Sequence, residues 1–233
     1  MSVKIISGNI FSSKCETIVN TVNCVGVMGA GIAFEFKLRY PEMYAAYVDL
    51  CNKNQINIGA LWLYRDKSQS ILNFPTKTDW RLPSRIEYIQ AGLEKFVSSY
   101  KEKNIQSIAF PILGGDRGGI PQKKSIDVMT KYLAILDIDI EIYKYSPQQN
   151  DELYDKTKNW LLSNDPKFIA DKTKVNLQYV LKIIDAVNTE HFHQLNQLIG
   201  VKGIGIKTIE KIYSLASNFH GSNHEHNPQR SLF

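Results

Sequence analysis

Residues 1 to about 146 alternate short apolar strand patterns with amphipathic helix patterns, and after Pro147 the strand patterns stop. No other feature narrows the fold as much, because a run of β and α elements in turn can bury its apolar faces only in layers. Strands are predicted at 3–7, 17–23, 60–65, 69–74, 106–111 and 139–145, in runs rich in Val, Ile, Leu and Tyr. Helices are predicted at 29–38, 42–54, 84–102 and 122–136, with Pro41 fitting a helix start. Ser84-Arg85-Ile86-Glu87 has capping-box spacing and opens an amphipathic run through Ile89, Leu93, Phe96 and Val97. The expected first domain, residues 1–150, is an α/β sandwich: a mixed central sheet covered by helices on both faces. Residues 151–219 read as a small all-helical module, with helical patterns at 153–162, 174–188, 191–200 and 206–217 and a break at Asn164-Asp165-Pro166. Residues 220–233 are polar and rich in His, Asn and Ser, the composition of a flexible tail.

The 233 residues are 43% hydrophobic, enough for a substantial core, yet no apolar run is long enough to span a membrane. The N-terminus runs straight into a strand pattern and does not resemble a signal peptide. Cys15, Cys24 and Cys51 are odd in number and lack metal-ligand spacing, which points to reduced thiols in the cytoplasm, buried as bystanders. No histidine stands in the first 190 residues to activate one of them. The net charge of +5 is compatible with a nucleic-acid partner, although Lys and Arg form no basic block.

Two glycine-rich loops carry the chemical signal. Val25-Gly26-Val27-Met28-Gly29-Ala30-Gly31-Ile32-Ala33 follows the second strand, and Ile112-Leu113-Gly114-Gly115-Asp116-Arg117-Gly118-Gly119 follows the fifth. Glycine lets backbone N–H groups face an anion with no side chain in the way. Two loops that each run from strand to helix suit a diphosphate at helix N-termini. Between them, Asn73-Phe74-Pro75-Thr76-Lys77 supplies an amine, with Trp80 and Arg81 just beyond it. A lysine is most often an ordinary surface charge; its place after this segment raises Lys77 above that reading.

These segments, with Gly8-Asn9-Ile10-Phe11 and Glu16-Thr17-Ile18-Val19-Asn20-Thr21-Val22-Asn23 before them, occur in the order found in macrodomains. The lysine segment resembles the DNA ADP-ribosyl glycohydrolase antitoxins, which are related to the terminal ADP-ribose glycohydrolases. The resemblance covers about the first 150 residues. It implies an ADP-ribose site: backbone of Ile10 against the adenine, Glu16 accepting from the adenine amino group, and Asn23 at the distal ribose. Gly29, Ala30 and Gly31 would hold phosphate by their amides, and Leu113, Gly114, Gly115, Asp116, Arg117, Gly118 and Gly119 would close over the other phosphate and the ribose. Lys77 would act at the anomeric carbon, as a nucleophile or as an ammonium facing a departing base. Thr76, Trp80 and Arg81 would meet the DNA, unless Trp80 is a core anchor. Asp116 departs from the pattern, standing where related antitoxins have Gly; it either orients substrate or pairs with Arg117. No cofactor and no metal are implied.

In the second half, Val201-Lys202-Gly203-Ile204-Gly205-Ile206-Lys207-Thr208 resembles the turn of a helix-hairpin-helix. Gly203 and Gly205 open the turn while Lys202 and Lys207 add charge for a DNA phosphate; the plain alternative is an αα-hairpin. His220, His224 and His226 read as polar linker rather than metal ligands. The last five residues, Gln229-Arg230-Ser231-Leu232-Phe233, resemble the pentapeptide that docks in the bacterial sliding clamp, with Gln229, Leu232 and Phe233 as anchors. The resulting expectation is an enzyme that removes ADP-ribose from DNA bases and reverses a cognate DNA ADP-ribosyltransferase toxin. Its alternatives are a hydrolase of ADP-ribosylated protein carboxylates, a non-catalytic ADP-ribose reader, and a DNA or clamp adaptor.

Overall fold

The computed structural model describes residues 3–65, 69–149, 151–219 and 229–232. They fall into two compact units, one running through Ser146 and including Gln229–Leu232, the other starting at Pro147.

In the first unit, strands β1 (Val3–Gly8), β2 (Thr17–Asn23), β3 (Trp62–Arg65), β4 (Ser70–Lys77), β5 (Ser107–Pro111) and β6 (Asp139–Tyr145) form one sheet in the order β1-β6-β5-β2-β4-β3. The first five in that order are mutually parallel, and β3 is antiparallel to β4. Side chains alternate between the faces, as the pleat requires. On one face Val19, Leu72, Phe74 and Ile140 pack with Ile89, Leu93 and Phe96 of α3 (Ile86–Ser99) and Met129 and Leu133 of α4 (Gln122–Leu133). On the other, Ile18, Val22 and Ile71 pack with Phe36 of α1 (Gly31–Arg39) and Met43, Ala46 and Tyr47 of α2 (Pro41–Asn52). Gly92 lets α3 lie close on the sheet, since a Cβ there would sit 2.2 Å from the Phe74 ring. The chain is thus α/β, with a mixed sheet between helices.

Topology places the site. The connection leaving β2 runs through α1 and α2 to β3 on one side, while the connection leaving β5 runs through α4 to β6 on the other. β2 and β5 are neighbours, so the chain diverges between their C-terminal ends. Such a switch point opens a crevice in an open parallel sheet. Both glycine loops start there.

The structure departs from the sequence expectation at several elements. Helix α3 starts at Ile86 without a side-chain cap: Arg85 holds the cap position, and Ser84 instead joins the second glycine loop, its backbone N–H donating to the Gly118 carbonyl at 3.0 Å. Gln229–Leu232, expected as flexible tail, forms strand β7 antiparallel to β3. β3 is the outermost strand of the six, and its unpaired edge supplies the hydrogen-bonding groups. Residues 220–228 and Phe233 lie outside the described residues, and with them His220, His224 and His226.

The second unit holds α5 (Glu152–Ser163), α6 (Pro166–Thr173), α7 (Leu177–Val187), a 3-10 helix at Leu195–Gly200 and α8 (Ile206–Phe219). The break expected at Asn164-Asp165-Pro166 separates α5 from α6, a helix that the sequence reading did not include. Asp165 caps it, accepting from the N–H groups of Lys167 and Phe168, and Pro166 occupies the first turn, where its missing N–H costs nothing. Helix α7 begins three residues later than expected, because Lys174 adopts a left-handed conformation that ends α6. Among the described residues no helix is long and apolar enough to cross a membrane.

Candidate active site at the switch point of the sheet

Asn23 closes β2 and shapes the first loop. Its Oδ1 accepts from the N–H groups of Val25 (3.0 Å) and Val27 (3.3 Å), and its Nδ2 donates to the Val27 carbonyl at 2.6 Å. The Tyr47 hydroxyl donates to the Asn23 carbonyl at 2.6 Å. Both ends of the buried carboxamide therefore hold the loop, whereas the sequence reading sends it to a ribose. The loop ends at Gly31, whose φ of +55° starts α1. Ala30 caps that helix without a side-chain hydrogen bond. The first-turn N–H groups, unpaired by construction in any helix, are left with the positive end of the helix dipole facing the crevice.

The second loop is held by its own backbone. Gly118 and Gly119 donate to the Gly115 carbonyl, Ile120 donates to Gly114, and Gly115 donates to Ile112. The Ser125 hydroxyl secures the Leu113 carbonyl at 2.6 Å, while the Leu113 side chain is buried in the core. Gly118 must be glycine, because a Cβ there would lie 2.3 Å from the Gly114 oxygen and 2.6 Å from the Ser84 hydroxyl. Among the described residues the N–H groups of Asp116 and Arg117 donate to nothing, and both residues are exposed. No ion pair joins Asp116 to Arg117, so the pairing weighed from sequence is not formed.

Lys77 stands where the two loops meet. In β4, Val22 pairs with Pro75 but Asn23 pairs with Lys77, which leaves Thr76 as the extra residue of a β-bulge. Such a bulge re-aims the side chain beside it. The Lys77 Nζ donates to the Arg117 carbonyl at 2.7 Å. From the first loop, a Cβ on Gly31 would lie 3.9 Å from Arg117 Cγ. Amine, first loop and second loop thus converge on Arg117. Partial burial lowers the Lys77 pKa by penalising the ammonium form. Among the described residues Lys77 makes no ion pair that would offset this.

The loop after β4 is strapped at both ends. Cys24 N–H donates to the Thr78 carbonyl at 3.2 Å, and Ser84 N–H to Gly118. Cys24 is half-buried, and burial pushes its thiol up to about 11, a poor setting for a nucleophile. Between the straps, Asp79 grips Arg81 through Oδ1 to Nε at 2.9 Å and Oδ2 to Nη2 at 2.7 Å. That hydrogen-bonded guanidinium holds the Asp79 carboxyl down at about 2. Trp80 is 54% exposed, so it is not a core anchor.

Two of the sequence-derived contacts are corrected. Glu16 precedes β2, and its Oε1 accepts from the N–H of Gln106, which precedes β5. It therefore marks the N-terminal edge of the parallel strands, roughly 20 Å from the crevice at about 3.3 Å per residue. Ile10, by contrast, follows β1 and lies on the crevice edge with Asn9. Thr76 is buried, its hydroxyl directed at the Val22 carbonyl 3.5 Å away, so its role is the bulge and not substrate contact. Reading the sequence alone missed Tyr47, Cys24 and Ser84, which lock the loops. Ser84 carried a signal, but a capping box accounted for it equally well.

In the second unit the turn at Lys202, Gly203, Gly205 and Lys207 is exposed, with Gly203 at a φ of +87°. Leu195, Leu198, Ile204, Ile209 and Ile212 form its buried side. Ala216 completes that face, while Leu215 is only half-buried.

A doubly covered sheet with glycine loops at its switch point is the architecture of a nucleotide-binding α/β domain. Residues 19–129 match the model of the Macro domain. The solved macrodomain of Mycobacterium tuberculosis DarG is 41% identical, with a TM-score of 0.56, over 62% of this chain and 98% of that one. The chain belongs to the macrodomain family. A Thermus aquaticus protein named DNA ADP-ribosyl glycohydrolase is 39% identical over 152 residues, 64% of this chain and 42% of that protein. The solved Thermosipho africanus DarTG in complex with ADP-ribose is 31% identical, with a TM-score of 0.58, over 64% of this chain and 43% of that one. The chain therefore matches less than half the length of these two relatives.

Proposed function

We propose that this protein binds ADP-ribose in the crevice and hydrolyses it from modified DNA bases, reversing the action of a DNA ADP-ribosyltransferase toxin. The convergence of Lys77, Gly31 and the second loop on Arg117 carries the reading. The diphosphate would take the free N–H groups at the start of α1 and at Asp116 and Arg117, leaving the distal ribose beside the amine. The Lys77 amine forms a bond to the anomeric carbon as the bond to the base breaks, and the base leaves with the amine's proton. Water then hydrolyses the lysine-linked sugar, which releases ADP-ribose and restores the amine. Desolvation without a counter-charge favours the neutral amine that this step needs. The kinship with DNA ADP-ribosyl glycohydrolases and with a transferase–glycohydrolase fusion protein supports the DNA substrate and the cognate toxin.

On this reading the exposed hairpin of the second unit gives a sequence-independent grip on the DNA backbone through Lys202, Lys207 and the amides after Gly205. The terminal pentapeptide would serve as a sliding-clamp ligand only after Gln229–Leu232 leaves the β3 edge, since one strand cannot pair in both places.

The test is release of ADP-ribose from an ADP-ribosylated single-stranded oligonucleotide, beside a glutamate-linked ADP-ribosyl protein. Lys77→Ala should cut release from the oligonucleotide by about 1,000-fold or more while retaining ADP-ribose affinity by calorimetry, in line with loss of a covalent catalyst. Because the amine must lose its proton before it attacks, kcat of the wild type should rise with pH through a value below the ordinary lysine pKa. A rate that falls over that range would assign the ammonium form instead. Equal turnover by Lys77→Ala would remove the lysine from the chemistry.

A further inference from the structure

The loop of residues 78–85 shows a combination that its fold does not explain. Its two ends are fastened to the two glycine loops, at Cys24–Thr78 and Ser84–Gly118, and its interior is tightened by a Leu82 N–H bond to the Asp79 carbonyl at 3.1 Å. A loop so constrained still leaves the Trp80 indole 54% exposed and Leu82 52% exposed. The other two tryptophans, Trp62 and Trp160, are 0% and 6% exposed. Large apolar side chains held out in water on a constrained turn mark a surface with a partner.

The chemistry around the tip selects the partner. The Arg81 guanidinium lies 5.5 Å from the centroid of the Trp80 ring. Asp79 holds it in a fixed orientation through two side-chain bonds, which leaves the remainder of its five N–H donors for an anion. Arg85 and Arg117, on the flanking segments, are also exposed, with Asp116 and Glu87 as exposed acidic residues near them in sequence. A flat aromatic face next to an oriented guanidinium matches a nucleobase joined to its phosphate. A duplex buries its base faces in the stack, so only an unpaired strand offers one.

We infer that Trp80 and Arg81 form a stacking platform for an unpaired nucleotide flanking the modified base, so that Trp80 is a specificity-determining residue. This rests on the proposed DNA substrate. The straps make the platform a rigid extension of the crevice: a base stacked on Trp80 fixes the strand relative to the same loops that hold the diphosphate. Trp80 touches the strand and not the reacting carbon, so its contribution is to binding.

Two measurements on the whole 233-residue chain test the inference. In the first, tryptophan emission is followed during titration with unmodified oligo-dT and with a duplex of equal length. Quenching by the single strand, weak quenching by the duplex and none in Trp80→Ala is expected, because the other tryptophans are shielded. In the second, release from an ADP-ribosylated oligonucleotide should show KM raised about tenfold in Trp80→Ala, within the range for one lost base stack, with kcat little changed and Trp80→Phe restoring most of the loss. Affinity for free ADP-ribose should be the same in all three proteins. Wild-type emission indifferent to oligo-dT, an unchanged KM, or an equal loss on glutamate-linked protein would each overturn the platform. Absence of release by the wild type would instead sink the DNA-hydrolase reading, and the emission titration would still decide whether Trp80 stacks on an unpaired strand.

Discussion

The two glycine loops do similar work at one crevice by opposite means. The first is held by side chains: the Asn23 carboxamide braces Val25 and Val27, and Tyr47 braces Asn23 from α2. The second is held by backbone bonds among Ile112, Gly114, Gly115, Gly118 and Gly119, tightened by Ser84. A loop braced by a side chain tolerates change along its length but depends on one residue. A loop folded on its own backbone has no single brace, yet it has positions where no side chain fits. Each loop is therefore vulnerable at a different kind of position.

Gly118→Ala should have the largest effect. Its Cβ would press on the Gly114 carbonyl at 2.3 Å, and backbone cannot give way as a flexible side chain can. ADP-ribose affinity should fall about 100-fold by calorimetry, close to 3 kcal/mol at 1.4 kcal/mol per factor of ten. An unchanged affinity would show that the second loop does not hold the ligand. Asn23→Ala should come next. It strips the partners of two loop N–H groups and of the Val27 carbonyl, and should cost about 2 kcal/mol of unfolding free energy in urea with roughly tenfold in ADP-ribose affinity. Loss of affinity with full stability would return Asn23 to direct contact with the ligand. Gly31→Ala should do least. It meets only open space and Arg117 Cγ at 3.9 Å, so it carries the strain of a left-handed backbone alone, about 1 kcal/mol. A loss rivalling that of Gly118→Ala would break the contrast between the loops.

The elements that the chain announced locally were legible in the sequence. Strands β2, β4 and β5 are short runs of apolar and β-branched residues because helices cover both their faces, and the glycine loops sit where those runs end. What escaped depends on partners distant in sequence. The bulge at Thr76 exists only in the register between β2 and β4. Glu16 was misplaced because motif order says nothing of which end of a parallel strand faces the ligand. Ser84 matches a capping box, and only the approach of Gly118 shows where its N–H goes. The break at Asn164-Asp165-Pro166 separates α5 from α6, but α6 itself escaped because two helical turns are too short to display a periodicity. Pairing of Gln229–Leu232 with β3 lies some 165 residues away in sequence, beyond any local pattern.

The proposed hydrolysis depends on an amine placed at the anomeric carbon of a bound nucleotide sugar. A crystal structure with ADP-ribose tests it most directly. The diphosphate should lie between the start of α1 and the amides of Asp116 and Arg117, and the Lys77 Nζ should have exchanged its bond to the Arg117 carbonyl for van der Waals contact with the distal ribose. A ligand bound in the crevice with that ribose turned away from Lys77 would contradict it.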